Sequence, residues 1–376
     1  MKVLHLASFS GNIGDNASHY GLYKILDELI KISEIKRIEI RNFYKNALGP
    51  NKRKFDKSFV VECNKFDLVI FGGGGYLDYW VPKSATGTTF NISKENLDGI
   101  KTPILFSSLG CVPGKSVPHG NKKKFIDFLS EISGKENRFL LLRNDGSMEH
   151  LSKNLNFQIP DNFNSILDNG FFYENSYEIK LASKPYIALN ISDDQISMNG
   201  LSASKMKKKD FYKSIAQIIS LIINKKDIDI FFVPHIYRDI FAIKSIINLL
   251  SEEHLRHKIH IGSCLLGDLG ADINFSIYKN SLFSIGNRFH SNVSSIAMGK
   301  HAIGLSALNR ISKMFDSLSL NDSYVKVEKG FEEKLLNKVF DLTSTNLKKP
   351  SINCLNQMKD KTIESYKDAL KSLNRM

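Results

Sequence analysis

The sequence predicts an α/β fold built of two Rossmann-like, doubly wound domains, and three observations carry that expectation. Apolar runs of strand length alternate with amphipathic helical patterns, the arrangement that yields a mostly parallel sheet with helices on both faces. The alternation occurs twice, and the two series are separated by an irregular stretch holding Pro160, Gly170 and Pro185. A chain of 376 residues also exceeds one ordinary domain.

In the first series, strands are expected at residues 2–7, 37–40, 67–71, 103–107 and 139–143, with helices over 16–31 and 122–132. The run FDLVIF is apolar without alternation, as a strand covered on both faces must be. A linker is expected near 177–184. The second series starts with a strand at 186–191 and a helix over 210–224, then a strand at 228–233 and a helix over 238–250. Strands at 258–261 and 282–285, a helix after His290 and a strand near 301–305 complete it. The tail 357–373 spaces Met358, Ile363, Tyr366, Ala369 and Leu373 as a helix among many lysines.

Composition narrows the class. Hydrophobic residues at 42% and charged residues at 24% suit a globular chain with a sizeable core. No apolar run approaches the roughly 20 residues of a membrane span, and the chain opens on a strand pattern rather than a leader, so a cytoplasmic protein is expected. Cys63, Cys111, Cys264 and Cys354 lie far apart, which argues for free thiols. The net charge of +13 favours anionic partners, whether phosphorylated small molecules, acidic polysaccharide, an anionic membrane surface or nucleic acid, and the charge alone does not choose among them. The clusters at 122–124 and 205–209 give a peripheral membrane contact a basis. No nucleic-acid module is present in the pattern, so no nucleic-acid partner is expected. His254, His257 and His260 straddle a helix and a strand, which is not metal-ligand spacing; no metal or cofactor is expected.

Three loops after strands carry the chemistry. In SLFSIGNRFHSNVSSIAMGK, Arg288 and His290 stand between a strand and a helix, where unpaired helix N–H groups and an arginine fork suit an anion. His290 can move a proton near neutral pH, and Ser291 with Asn292 can contact phosphate at the helix start. After the first strand, Gly11, Asn12 and Gly14 form a turn in which Asp15 or Asn16 is the expected helix cap, Asp15 being also a possible base. After the third, Gly72, Gly73, Gly74 and Gly75 imply positive φ or close backbone approach. Neither the G-x-G-x-x-G fingerprint nor a phosphate loop ending in Gly-Lys-Ser/Thr is satisfied. Arg143 at a strand end is a second anion ligand, and His235 follows a strand in FFVPHIYRD.

Taken in order, GNIGD (11–15), DLVIFGGGGYL (67–77), LLRNDGSMEHL (141–151), RFHS (288–291) and AMGK (297–300) resemble the polysaccharide pyruvyl transferase family over about the first 320 residues. The resemblance implies a glycosyltransferase-B-like architecture and transfer of a pyruvyl group from phosphoenolpyruvate to a sugar hydroxyl pair of a cell-surface or lipid-linked glycan. It implies Arg288 and His290 as phosphoenolpyruvate ligands; Arg143, Ser291, Asn292, Gly73, Gly74, Asn12, His235 and Lys313 are expected as further substrate contacts. His290 and Asp15 are the expected catalytic pair. The implied organisation is residues 1–180 as the acceptor domain, 181–350 as the phosphoenolpyruvate domain and 351–376 as a helix packing back on the first. Two departures stand out: the family's Arg-Asp pair is spaced here as Arg143, Asn144, Asp145, and Lys313 lacks its accompanying tyrosine. A nucleotide-sugar-dependent glycosyltransferase is the alternative, since the same architecture serves it.

Overall fold

The computed structural model describes residues 1–177, 184–196, 198, 206–344 and 353–375. The expected linker, the expected boundaries near 180 and 350 and Lys205 of the second basic cluster lie largely or wholly outside them.

Two six-stranded parallel sheets with flanking helices form the protein, as the alternating pattern predicts. The first series runs β1 (Lys2–Ala7), α1 (Ile13–Leu29), β2 (Glu34–Glu39), α2 (Lys57–Cys63), β3 (Leu68–Gly74), α3 (Lys94–Gly99), β4 (Ile104–Leu109), α4 (Asn121–Ser133), β5 (Arg138–Arg143), α5 (Ser147–Glu149) and β6 (Phe163–Ile166). The second runs β7 (Tyr186–Asn190), α6 (Lys208–Lys226), β8 (Asp229–Phe232), α7 (Tyr237–Ile247), α8 (Glu252–His257), β9 (Ile259–Ile261), α9 (Gly267–Asn280), β10 (Ser284–Gly286), α10 (Phe289–Ala297), β11 (Ala302–Ser306), α11 (Asn309–Ser317), β12 (Tyr324–Lys326) and α12 (Phe331–Ser344), followed by α13 (Asn353–Ser372). No helix among the described residues is long and apolar enough to cross a membrane.

Two compact units result. One holds Met1–Ser10, Ser18–Phe172 and the chain from Asn356 onward; the other holds Gly11–Ala17 and Tyr173–Leu355. In the first, β3, β4 and β5 are buried along their whole length, and Phe71 stacks with Phe59 and Phe90 and meets Phe106 edge to face. Each such ring contributes about 1.5–3 kcal/mol by leaving water. From α13, Tyr366 donates to Asn169 Oδ1 at 2.7 Å, and Thr362 Oγ1 accepts from the Leu167 amide at 3.0 Å. In the second unit, Ile215, Ile219 and Ile222 of α6 pack with Ile187, Ile230 and Phe232 of the sheet.

Strand order locates the places where ligands can sit. The first sheet is ordered β2-β1-β3-β4-β5-β6, so the chain lays β2 on one side of β1 and then reverses to place β3 on the other. The second is ordered β12-β11-β10-β7-β8-β9, with the same reversal between β7 and β10. At such a reversal the loops leave in opposite directions, opening a crevice beyond the carboxyl ends of the two strands. GNIGD follows β1, the glycines end β3, and Arg288 follows β10. The motifs therefore lie beside the two reversals.

Candidate functional site

In the second unit the carboxyl ends of β7, β8 and β10 are tied together by two buried asparagines. Asn190, ending β7, accepts from the Arg288 amide at 3.1 Å and donates to the Val233 carbonyl at 2.9 Å. Asn287 donates to the Ser192 carbonyl at 2.6 Å and accepts from its amide at 2.9 Å. Side-chain amides suit this position because each offers both a donor and an acceptor to strand ends that have left the ladder. Arg288 then takes an extended backbone as the residue preceding α10.

The Arg288 guanidinium is enclosed by carboxylates. Its Nε donates to both Asp239 oxygens, at 3.0 and 2.8 Å, Nη2 also bonds Asp239, and Nη2 reaches Asp194 Oδ2 at 3.3 Å. Burial opposes the charge, and Asp239 and then Asp194 more than offset that penalty, holding the guanidinium above its ordinary range. The two carboxylates differ: the Asp239 side chain is 0% exposed and that of Asp194 is 23% exposed, so one side of the clamp reaches solvent. Among the described residues Nη1 makes no hydrogen bond, so this edge of the guanidinium is not committed to either carboxylate. Asp239 also accepts from the His235 amide at 2.9 Å, which fixes the start of α7.

His290 lies one residue into α10, buried, with Nδ1 3.9 Å from Asp15 Oδ1, beyond hydrogen-bond length but within ion-pair reach. The approach depends on Gly14: a Cβ there would fall 2.4 Å from the His290 Cβ. Helix α1 begins at Ile13 rather than at residue 16, and its cap is Asn12, whose Oδ1 accepts from the Gly14 amide at 3.1 Å. The expected cap at Asp15 or Asn16 is thus corrected. Relieved of capping, Asp15 sits in the first turn, where the helix dipole favours a carboxylate, and faces His290.

His235 is fully buried, its Nε2 2.8 Å from Tyr278 Oη. Desolvation, then Arg288 and His290, push it well below its ordinary value, favouring the neutral imidazole. Ser291 donates to the Arg288 carbonyl at 2.7 Å, and Asn292 donates to the Gly286 and Arg288 carbonyls at 3.1 and 2.9 Å. Both side chains brace the turn that presents Arg288 and His290, and both residues are buried. Lys313 lies half-buried on α11, after the neighbouring strand β11. Asp239, Asp194, Asn190, Asn287 and Tyr278 were not expected as site residues; Asp239, four residues after His235, offered the only local signal.

In the first unit Gly72, Gly73 and Gly74 have φ of 149°, 33° and 136°, as the four-glycine run implied. A Cβ on Gly72 would fall 1.9 Å from the Ser107 carbonyl oxygen, and one on Gly73 2.8 Å from Ser18 Oγ. Packing of β3 on β4 and α1 accounts for both. Arg143 sits apart from the reversal, on β5. It donates to Asp145 at 2.7 Å and lies 3.7 Å from Asp168, with those side chains 1% and 0% exposed. Ser147 hydroxyl donates to the same Asp145. The shifted aspartate therefore still pairs with the arginine. Among the described residues no group of three or more His, Cys, Asp or Glu is arranged to hold a metal ion.

The family profile described as polysaccharide pyruvyl transferase matches residues 12–309. None of the curated proteins compared with the chain matches it. Among solved structures, UDP-GlcNAc 2-epimerase from Methanocaldococcus jannaschii is similar with a TM-score of 0.55 and 13% identity, over 97% of this chain and 100% of that one. A glycosyltransferase from Rickettsia africae scores 0.54 with 16% identity, over 100% and 95% of the two chains. UDP-GlcNAc 2-epimerase from Neisseria meningitidis, bound to UDP-GlcNAc, scores 0.52 with 12% identity over 97% and 100%. These likenesses concern the fold, which is the glycosyltransferase-B-like class.

Proposed function

This chain belongs to the polysaccharide pyruvyl transferase family, and we propose that it moves the pyruvyl group of phosphoenolpyruvate onto a pair of hydroxyls of a cell-surface or lipid-linked glycan as a ketal. The observation that carries the reading is the convergence of Arg288, His290 and Asp15 beside the β7/β10 reversal, from two motifs some 270 residues apart.

The reaction needs four events. The methylene carbon of the donor takes a proton and becomes a methyl group, which leaves C2 electron-deficient. One sugar hydroxyl adds to C2 and gives up its proton. The C2–O bond to phosphate breaks, releasing inorganic phosphate, and a second hydroxyl closes the ketal with loss of its proton. Of the two protons lost, one balances that taken by the methylene carbon and the other leaves with phosphate.

We assign the donor to the second unit. Arg288 meets its carboxylate or phosphate through Nη1, with the first amides of α10 adding donors toward the same charge. His290 supplies the proton to the methylene carbon, and Asp15 steadies the imidazolium before transfer or receives a hydroxyl proton after it. Asp239 is a positioning residue: it holds Arg288 flat and ties it to the His235 loop. Such preorganisation spares the site reorganising as charge develops, which is where most electrostatic catalysis arises.

The test is phosphate release from phosphoenolpyruvate with candidate glycans, in wild type, Arg288→Ala and His290→Ala. Loss in both variants, with thermal unfolding showing folded protein, supports the assignment. Retained turnover in both refutes it, and consumption of a nucleotide sugar instead of phosphoenolpyruvate replaces the donor.

A further inference from the structure

The first unit contains a groove of about 980 Å³ that touches the motifs only at Gly75 and Tyr76, the end of DLVIFGGGGYL. It opens beside Gly75 and Tyr76, directly after β3, one of the strands flanking the β1/β3 reversal. Its lining includes the cations Lys45, Lys52, Arg53, Lys54 and Lys83 against the single carboxylate Asp56. Arg53 is committed to Glu62 and lies over the Phe43 ring at 5.4 Å. The Lys52 ammonium donates to the Lys45 carbonyl at 3.4 Å. Lys45, Lys54 and Lys83 are exposed and form no ion pair among the described residues. Asp56, for its part, is spent capping α2 through the Ser58 amide.

Aromatic faces share the groove. Trp80, the chain's one tryptophan, lines it with Tyr44 and Tyr76, and the Lys115 ammonium sits 4.8 Å over the Trp80 ring. The loop that carries Trp80 and Lys83 is built rather than slack. Asn121 Nδ2 donates to the Tyr79 and Val81 carbonyls at 3.0 Å each, Val81 bonds Gly87 across the turn at 3.0 Å, and Ser84 and Thr86 donate to the Thr88 and Phe90 carbonyls. Lys83 itself is held at a φ of 61°, a conformation a lysine keeps only when its surroundings impose it.

We propose that this groove binds the acceptor as an anionic glycan, a chain whose sugars stack on Trp80 and Tyr44 while a carboxylate or phosphate on it meets Lys45, Lys54 and Lys83. The physical reasons are separate. Sugar rings offer C–H faces that match aromatic planes, and a preordered loop limits the entropy lost on binding. Unpaired ammonium groups attract an acid without having to break an existing ion pair. Naming the occupant an acceptor rests on the pyruvyl-transfer reading; its charge and sugar chemistry rest on the groove alone.

The test is calorimetric titration of the full chain with three tetrasaccharides, one neutral, one uronate and one phosphorylated, and separately with UDP and with phosphoenolpyruvate. At least one acidic tetrasaccharide binds about tenfold tighter than the neutral one, a preference that fades with salt and disappears in Lys45→Gln/Lys83→Gln. Trp80→Ala weakens every sugar about fivefold or more and leaves phosphoenolpyruvate binding unchanged. Equal binding of neutral and acidic sugars, or variants that bind as wild type while thermally intact, overturns the proposal. So does UDP bound in a Trp80-dependent manner with no acidic sugar bound. Phosphoenolpyruvate binding without any glycan binding sinks the groove alone; glycan binding without phosphoenolpyruvate binding sinks the pyruvyl reading alone.

Discussion

Arg143 and Arg288 are alike in sequence context and unlike in position. Each stands at or just beyond the carboxyl end of a strand, each is buried, and each lies between two carboxylates. The carboxylates on Arg143 are sealed at 1% and 0% exposure, whereas Asp194 on Arg288 is 23% exposed. Arg143 ends β5, away from the reversal in its sheet; Arg288 follows β10, at the reversal in its own. On the function proposed, a buried arginine at a strand end is not in itself an anion site. What separates the two is strand order and one open side of the clamp, and only folding supplies either.

The strongest test of that contrast is Arg143→Met. It leaves Asp145 and Asp168 buried without their cation and is expected to cost about 3–5 kcal/mol in chemical denaturation. A loss below about 1 kcal/mol would show that the clamp is not structural. His290→Gln should do the reverse: phosphate release falls about 10²–10⁴-fold, while the denaturation midpoint holds. Gly14→Ala lies between them, since the added methyl would meet His290 at 2.4 Å; the expectation is about 1–3 kcal/mol of destabilisation with reduced turnover. Asp194→Asn acts more gently. With one competing charge removed from Arg288, the KM for phosphoenolpyruvate should fall severalfold at nearly unchanged stability, and a rise in KM would contradict the role given to Nη1.

Acid is the mildest perturbation. His5 and His235 are both held well below 6.5, chiefly by burial. Below 6.5 the unfolded chain takes up protons that the folded chain refuses, so these groups cost stability as pH falls from that value. Urea midpoints should drop between about pH 7 and about pH 5, and His235→Gln should drop less than wild type over the same interval.

Much of the fold was readable because unbroken apolar runs of strand length, bounded by turn residues, fit strands covered on both faces. That held for β1, β3, β4, β5, β7 and β8, whose burial patterns are nearly unbroken. Helix α9 was not expected: it carries Gly267 and Gly270, lacks a side-chain cap and buries Asn274 and Ser276, which hides its apolar face. The pair β6 and β12 are edge strands of four and three residues, too short to show a period. Helix α12 spaces Phe331, Leu335 and Val339 by four, a pattern present in the sequence though absent from the expected elements. In the site, Arg288, His290 and Asp15 were legible as residue types on loops. Asp194 was not, and Asp239 was marked only by its place four residues after His235, because an ion pair between segments far apart in the chain leaves little local trace. Ser291 and Asn292 were legible as helix-start polar groups, while their use in bracing the turn depends on carbonyls that only the folded loop presents.

The central claim is pyruvyl transfer from the site between β7 and β10. Its most direct measurement is mass spectrometry of an acidic glycan incubated with phosphoenolpyruvate and wild type or His290→Gln, with phosphate release followed in parallel. The account predicts that wild type adds the mass of pyruvic acid less one water, with one phosphate released per addition, and that His290→Gln adds almost none. Equal product from both proteins, or product from a nucleotide sugar and none from phosphoenolpyruvate, would contradict it.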